Sequence, residues 1–183
     1  MYTAFTATKN PFGVRYSSGG LVWLETFEEE NLLTRFWSPD ARVNQPWEML
    51  WSESFEITVN NMPLTRWEFA EAKETSAKGN SIKQFAVRMQ SLEQSVELTV
   101  HTRLDGTPAA ERWLTVSNTG NLPIGISKLN TFAGELWRGD VFTMGRQTKD
   151  TWCGEGWLEW ADVPIGQIWV THEHGLSFRR PFV

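Results

Sequence analysis

Short runs of alternating apolar and polar residues recur along most of the chain, and clusters of turn-forming residues separate them. Val14–Leu24 contains two such runs around a Ser-Ser-Gly-Gly turn, and Phe55–Phe69 contains two more around Asn60-Asn61. Asn and Gly tolerate the left-handed backbone of a tight reversal, so each of these segments predicts a β-hairpin. Leu32–Trp37 predicts one further strand.

The middle of the chain continues this pattern. Ile82–Met89 and Val96–Val100 alternate on either side of a short turn. Arg112–Ser117 then predicts a strand, Asn118–Asn121 a turn and Ile124–Leu129 a return strand, so this stretch predicts another hairpin. Two strands cannot bury their own apolar faces, so we expect this hairpin to belong to a larger sheet.

Three stretches break the alternation. Residues 38–47 read as a long polar loop between two prolines, and Glu71–Gly79 reads as a mobile loop with one helical turn at most. Trp137–Trp160, rich in Gly, Trp and charge, predicts extended loops. No amphipathic helix separates the strands, which excludes the helical crossovers of a parallel sheet. The pattern therefore predicts an all-β, antiparallel sandwich or barrel with little helix.

Composition limits the partners. The chain has 183 residues, enough for one domain over residues 1–183 with a substantial core. The chain has 22 acidic and 17 basic residues, so it lacks the excess of positive charge that is typical of a nucleic-acid-binding protein. No apolar run approaches the roughly 20 residues that cross a bilayer, and no secretion signal is evident, so we expect no membrane partner and a cytoplasmic location. The single Cys153 is expected to be an unreactive thiol.

The sequence offers little motif-borne catalysis. His172 and His174 share a face if they lie on a strand, but two ligands do not make a metal site, and solvent-facing or core histidines are the simpler interpretation. Serine nucleophile elbows, phosphate-binding glycine loops and Cys–His pairs are missing from the sequence. We therefore expect no metal, no cofactor and no catalytic residue in this chain.

The densest candidate chemistry is a cluster of aromatic and acidic residues near the end of the chain. Flat aromatic rings pack against the C–H face of a sugar, and carboxylates accept hydrogen bonds from its hydroxyls. Tryptophans that plug the sandwich or bury an interface are an equally weighted alternative. A glycosidase site would need two of the carboxyl groups at a set distance across one glycosidic bond, and spacing within a loop cannot demonstrate that distance. The cluster contains Trp152, Trp157, Trp160, Glu155, Glu159 and Asp162, and the polar loop adds Trp47.

Two segments resemble a known family. RWLTVSNTGNLPIGISKLNTFAGEL, residues 112–136, and GRQTKDTWCGEGWLEW, residues 145–160, resemble the N-terminal domain of glycoside hydrolase family 36 α-galactosidases. The resemblance implies an antiparallel β-supersandwich of the galactose-mutarotase-like type. In the family this domain precedes a catalytic (β/α)8 barrel, contributes to oligomer contacts and sends a loop to the rim of the sugar site.

The resemblance implies a non-catalytic accessory domain whose partners are a barrel domain in cis or trans, a galactoside or other carbohydrate, and other copies of itself. The sequence contains no Lys-Trp-Asp nucleophile motif and no room for a barrel. Trp157, Glu159 and Trp160 match the family's Trp/Glu loop, with Trp152 and Trp47 as further candidate sugar or partner contacts. Two alternatives stay open: a freestanding carbohydrate-binding module, and a mutarotase-like sugar epimerase that uses one of the three histidines, His101, His172 or His174, with a carboxylate.

Overall fold

A computed structural model describes residues 3–9, 12–38, 52–76, 82–133, 143–148 and 157–162. Every regular element within those residues is a β-strand, and every strand pair is antiparallel, which confirms the predicted fold class. The chain divides into two compact units, Met1–Trp137 and Arg138–Val183, which are described separately. A single domain over residues 1–183 stays a prediction.

The first sheet has five strands in the order in which they occur along the chain. They are β1 Thr3–Lys9, β2 Phe12–Ser18, β3 Leu21–Glu28, β4 Asn31–Ser38 and β5 Ser52–Glu53. Gly19 and Gly20 form the turn between β2 and β3 with φ of 57° and 110°, which glycine adopts without strain. Glu29 and Glu30, also at positive φ, form the next turn, so the acidic run marks a reversal.

A short hairpin follows the first sheet. Strands β6 Glu56–Val59 and β7 Met62–Pro63 pair across Asn60-Asn61, whose φ values are 51° and 62°. Both φ values are positive, as a two-residue hairpin of the primed type requires. The hairpin predicted from Ser-Ser-Gly-Gly is therefore confirmed, as is the turn at Asn60-Asn61. The return strand predicted as far as Phe69 is wrong, because β7 ends at Pro63, and Trp67 and Phe69 pair instead with Ser91 and Met89.

The next four strands form a second large sheet, with the spatial order β11-β10-β9-β8. They are β8 Trp67–Glu74, β9 Lys83–Ser91, β10 Val96–Leu104 and β11 Ala110–Asn118. The predicted loop at Glu71–Gly79 is wrong in its first part, because β8 continues to Glu74. A register shift between Phe69 and Glu71 breaks the period of two there, so the alternation cannot be read from the sequence.

The hairpin predicted for residues 112–129 is wrong in its partner. Strand β12 Ile126–Asn130 pairs with β6 in a three-stranded sheet, whereas β11 pairs with β10. The turn chemistry is present, since the Asn118 side chain accepts from the Gly120 N–H at 2.9 Å. The chain then reaches Asn60, whose Oδ1 accepts from the Gly125 N–H at 2.9 Å, next to the point where pairing with β6 begins.

The second unit contains one described hairpin, of strands β13 Thr143–Thr148 and β14 Trp157–Asp162. The extended loops predicted here are therefore wrong over these two ranges. The apolar residues of these two ranges follow no period of two, so the strands could not be recognised from alternation in the sequence.

One apolar core joins the sheets of the first unit. The inner face of β10 alternates without interruption, with Val96, Leu98, Val100 and Leu104 buried. Aromatic rings connect the two large sheets: Phe12 lies 4.7 Å from Phe69 and Tyr16 lies 6.0 Å from Phe85, measured between ring centroids. Such interdigitated contacts between inner faces are what define a β-sandwich.

Gly19 lies against the backbone of Thr107, so a substitution at Gly19 tests how closely the two large sheets approach each other. A Cβ there would lie 2.4 Å from the Thr107 carbonyl carbon, at a φ of 57°. We expect Gly19→Ala to lower the free energy of unfolding by more than about 2 kcal/mol, because strained backbone and a clash add together. Gly125→Ala is the matched control, since its Cβ would meet Asn60 Oδ1 at an ordinary 3.9 Å. Urea unfolding that shows equal losses for both variants would contradict this account.

Candidate functional site

The predicted sugar-contact residues fall into two groups. Trp47 and Trp152 lie outside the described residues. Trp157, Glu159 and Trp160 all belong to β14, where the register places them opposite Thr148, Arg146 and Gly145 respectively. The fold thus brings three of the five candidates onto one strand of a ribbon. Their role in sugar or partner contact stays a prediction.

His101 is the one histidine among the described residues, and it tests the epimerase alternative. It lies on the outer face of the four-stranded sheet, where its Nε2 is 3.0 Å from the Thr115 hydroxyl. Its ring stacks on Trp113, with centroids 4.9 Å apart and planes 5° from parallel. His172 and His174 lie outside the described residues.

A shallow depression lies beside His101, above the small side chain of Ala86. Its volume is about 320 Å³, near the lower limit for a ligand cleft. Glu71 also lines it, but Lys73 at 3.1 Å and Arg88 at 3.5 Å bind that carboxylate. The lining residues are Glu71, Lys73, Thr75, Ala86, Arg88, Thr99 and His101.

His101 and Glu71 have other partners. His101 lies on β10 and Glu71 on β8, two strand spacings apart, so their Cα atoms are separated by about 10 Å. The Glu71 carboxylate is bound by Lys73 and Arg88, and His101 contacts Thr115 and Trp113. The described residues therefore give no support to a histidine–carboxylate site in this depression.

A second polar constellation is buried between the large sheets. Arg112 Nη1 donates to Glu25 Oε1 at 2.6 Å, and the two side chains are 6% and 0% exposed. The Tyr16 phenol lies beside them, and its pKa is raised well above its usual value by burial and then by the negative charge of Glu25. A carboxylate, a guanidinium and a phenol are groups that enzymes use, but Tyr16 is 1% exposed and the other two side chains are nearly as buried, so the three have no access to a substrate. We interpret them as a structural link between β3 and β11.

Sequence reasoning missed this link, although an indication was present. Glu25 continues the inward-facing series of Leu21 and Trp23, and Arg112 precedes the inward-facing Leu114 and Val116. A charged residue at a core-facing position is uncommon unless it is paired. Two residues of opposite charge at core-facing positions of separate strands were therefore the evidence that the sequence offered.

Further described charges are paired on the outer face of the four-stranded sheet. Arg88 bridges Glu71 and Glu97, and Arg103 contacts Glu111 at 3.0 Å. Among the described ranges, no group of three or more His, Cys, Asp or Glu residues could hold a metal ion. Within the same part of the chain, no helix has the length and apolar character to cross a membrane.

Several solved structures are similar to this chain in fold. The chain superimposes on the GH36 α-galactosidase AgaB from Geobacillus stearothermophilus with a TM-score of 0.59 and 9% identity, over 89% of this chain and 29% of that one. This chain has the fold of part of an α-galactosidase. AgaA from the same organism gives a TM-score of 0.53 with 10% identity, over 84% and 28% of the two chains. A variant of AgaA in complex with raffinose gives 0.55 with 9% identity.

The matches confirm, at the level of fold, the family resemblance drawn from the sequence. The chain spans less than three-tenths of the length of the α-galactosidases that it matches. No protein-family model matches the sequence, and no curated protein matches it. The likeness therefore rests on the arrangement of strands.

The buried ion pair yields a stability prediction. Arg112→Met leaves the Glu25 carboxylate buried without its partner, so we expect a loss of about 3–5 kcal/mol in the free energy of unfolding. The double variant Glu25→Leu, Arg112→Met removes both charges and should recover most of that loss. Arg103→Met, which breaks an exposed pair, should cost under about 1 kcal/mol. Chemical unfolding that ranks Arg103→Met with Arg112→Met would contradict the assignment.

His101 yields a pH prediction. Burial lowers its pKa below the ordinary value, so the folded chain binds fewer protons than the unfolded chain. Its contribution to stability is therefore complete above about pH 6.5 and decreases as the pH falls towards the folded pKa. NMR titration of the ring protons, assigned with His101→Gln, should show this depressed pKa, and Trp113→Ala should move it back towards the ordinary value. A native pKa at or above that of the unfolded chain would be the contrary result.

Proposed function

We propose that this chain is a non-catalytic N-terminal accessory domain of an α-galactosidase-like glycoside hydrolase. In this role it supports a catalytic barrel, takes part in oligomer contacts and lies at the rim of the sugar site. The observation that carries the proposal is the asymmetric match, over 89% of this chain but only 29% of an α-galactosidase. A chain with that coverage corresponds to one part of a larger enzyme.

The chemistry of the first unit supports the same role. Its inner faces form a packed apolar core. Glu25 and Arg112 are paired inside that core, and the Glu71 carboxylate beside the depression is paired with Lys73 and Arg88. Bond cleavage between sugars needs two carboxyl groups that face one another across a cleft. In the proposed role the first unit supports such a site, which another part of the enzyme supplies.

The β13–β14 ribbon is our candidate for the rim. Trp157, Glu159 and Trp160 supply two apolar rings and one acceptor within four residues of one strand. Trp152 and Trp47 are assigned to the same role from the sequence. A galactosyl unit presents a C–H face and several hydroxyls, which this pair of residue types recognises.

The proposal is tested by the reading frame that encodes this chain and by deletion of residues 1–183 from its product. We expect several hundred further coding residues with α-galactosidase activity on raffinose. The deletion should reduce the yield of folded enzyme and dissociate its oligomer, measured by sedimentation. A reading frame without a catalytic domain would sink the proposal. Submillimolar binding of raffinose by the isolated chain in calorimetry would favour a freestanding module, and mutarotation above the spontaneous rate would favour an epimerase.

Trp157, on the β13–β14 ribbon, gives a separate prediction. Trp157→Ala should weaken association with sugar or partner at least tenfold while the melting temperature of the isolated chain changes little. Trp113→Ala is the matched control, because Trp113 lies on the outer face of the first unit and should leave association unchanged. A loss of about 3–5 kcal/mol in stability for Trp157→Ala would show instead that this residue is part of a core.

A further inference from the structure

The depression beside His101 is a gap in a row of long side chains on the outer face of the four-stranded sheet. The register places Lys73 of β8 on one side of Ala86 and His101 of β10 on the other. Ala86 is 6% exposed, and its methyl group forms the floor of the depression. We call this depression, with the lining residues given above, the Ala86 slot.

The width of the Ala86 slot suits a single ring. Lys73 and His101 lie on strands two spacings apart, so the walls that they form are about 10 Å apart. Carbon atoms in contact are about 3.5–4 Å apart, so one layer of ring atoms fits between the walls with contact on both sides. The volume of about 320 Å³, at the lower end of the range for ligand sites, agrees with an occupant of this size.

The wall formed by His101 is an oriented and uncharged ring face. The imidazole stacks on Trp113 with the planes 5° from parallel, and its Nε2 lies 3.0 Å from the Thr115 hydroxyl. Burial lowers the pKa of His101 below its ordinary value, so the ring is neutral at pH 7. Because Trp113 covers one face of the imidazole from β11, the other face is directed towards β9 and the slot.

The charges around the slot are balanced. Glu71 Oε2 lies 3.1 Å from Lys73 Nζ and 3.5 Å from Arg88 Nη2, and Arg88 Nη1 lies 3.4 Å from Glu97 Oε2. Two cations therefore face two carboxylates, and an anionic ligand would have to displace a carboxylate from its partners. A neutral ligand leaves these pairs intact, while the ammonium and guanidinium groups have further N–H donors for its hydroxyls.

Hydroxyl groups complete the rim of the slot. Thr99 is aligned with Arg88 in the row next to Ala86, and Thr75 follows the end of β8. The slot thus combines a flat ring face and a methyl floor with donors and acceptors at its rim. A molecule that fits this combination has an apolar C–H face, several hydroxyls and no net charge.

We propose that the Ala86 slot binds one neutral pyranose ring, whose C–H face packs on the His101 imidazole and whose hydroxyls bond to Arg88, Thr99 and Glu71. The slot belongs to the first unit, whereas the β13–β14 ribbon belongs to the second. The inference goes beyond the proposed function, because binding in the slot requires neither a catalytic barrel nor a second subunit. A shallow slot with one aromatic wall binds weakly, so we expect a dissociation constant of about 1–10 mM.

NMR titration of the chain with methyl α-galactopyranoside and with methyl α-glucopyranoside tests this assignment. The signals of Ala86 and the ring protons of His101 should shift and saturate with at least one of the two probes, while the amide of the core residue Leu98 stays in place. Inorganic phosphate at equal ionic strength should leave all of them unchanged. Shifts that do not saturate with either sugar, or that saturate with phosphate instead, would overturn the proposal.

A matched pair of variants tests whether the gap itself is the site. Ala86→Leu places an isobutyl group in the slot and should weaken sugar binding at least tenfold. Ser117→Leu adds a similar group to an exposed position of β11 on the same face, outside the slot, and should leave binding unchanged. Equal affinity of the two variants would contradict the proposal.

The His101 wall is tested by a second pair, which decides the question even if Ala86→Leu does not fold. His101→Ala removes the ring and should weaken binding at least tenfold, whereas His101→Phe restores a flat face and should bind within threefold of the original chain. Equal loss in both variants would overturn the stacking geometry. Trp157→Ala should leave binding in the slot unchanged, and the outcome does not depend on what the reading frame encodes, so failure of the slot and failure of the proposed function are distinguishable.

Discussion

Contact between the inner faces of two antiparallel sheets is the constraint on which the first unit depends. Neither sheet buries its apolar face alone, so Tyr16 and Phe12 must find partners on the opposite sheet, and they meet Phe85 and Phe69. The ion pair of Glu25 and Arg112 adds a directional contact inside that interface. A buried pair of this kind contributes little net stability, but it penalises any shift that would separate its partners.

Local chemistry predicted the strands that have one buried face. The alternation of β10 and the turns at Gly19-Gly20 and Asn60-Asn61 are visible in the sequence, because period and turn residues are local properties. The partner of β12 was not predictable in this way. Asn118 and Gly120 make the expected local contact, but β12 pairs with β6 and contacts Asn60, both of which are distant in sequence.

The candidate site, like the fold, could be predicted only in part from the sequence. Tryptophans and carboxylates could be named from composition, but whether they share a surface depends on pairing across β13 and β14. The buried link of Glu25 and Arg112 escaped prediction because each residue is a common surface type, and only the assembled sandwich shows that both face inwards.

The described surfaces of the first unit differ in their chemistry. The outer face of β8 to β11 carries paired charges, whereas Ile126 and Leu129 of β12 are 46% and 43% exposed.

The proposed role places bond cleavage in another part of the protein. The most direct test is hydrolysis of an α-galactoside by the isolated chain, measured beside an equal molar amount of the full product of its reading frame. The account predicts turnover by the full product and none above the buffer rate by the isolated chain. Sustained turnover by the isolated chain, abolished by substitution of one of its own carboxylates, would contradict it.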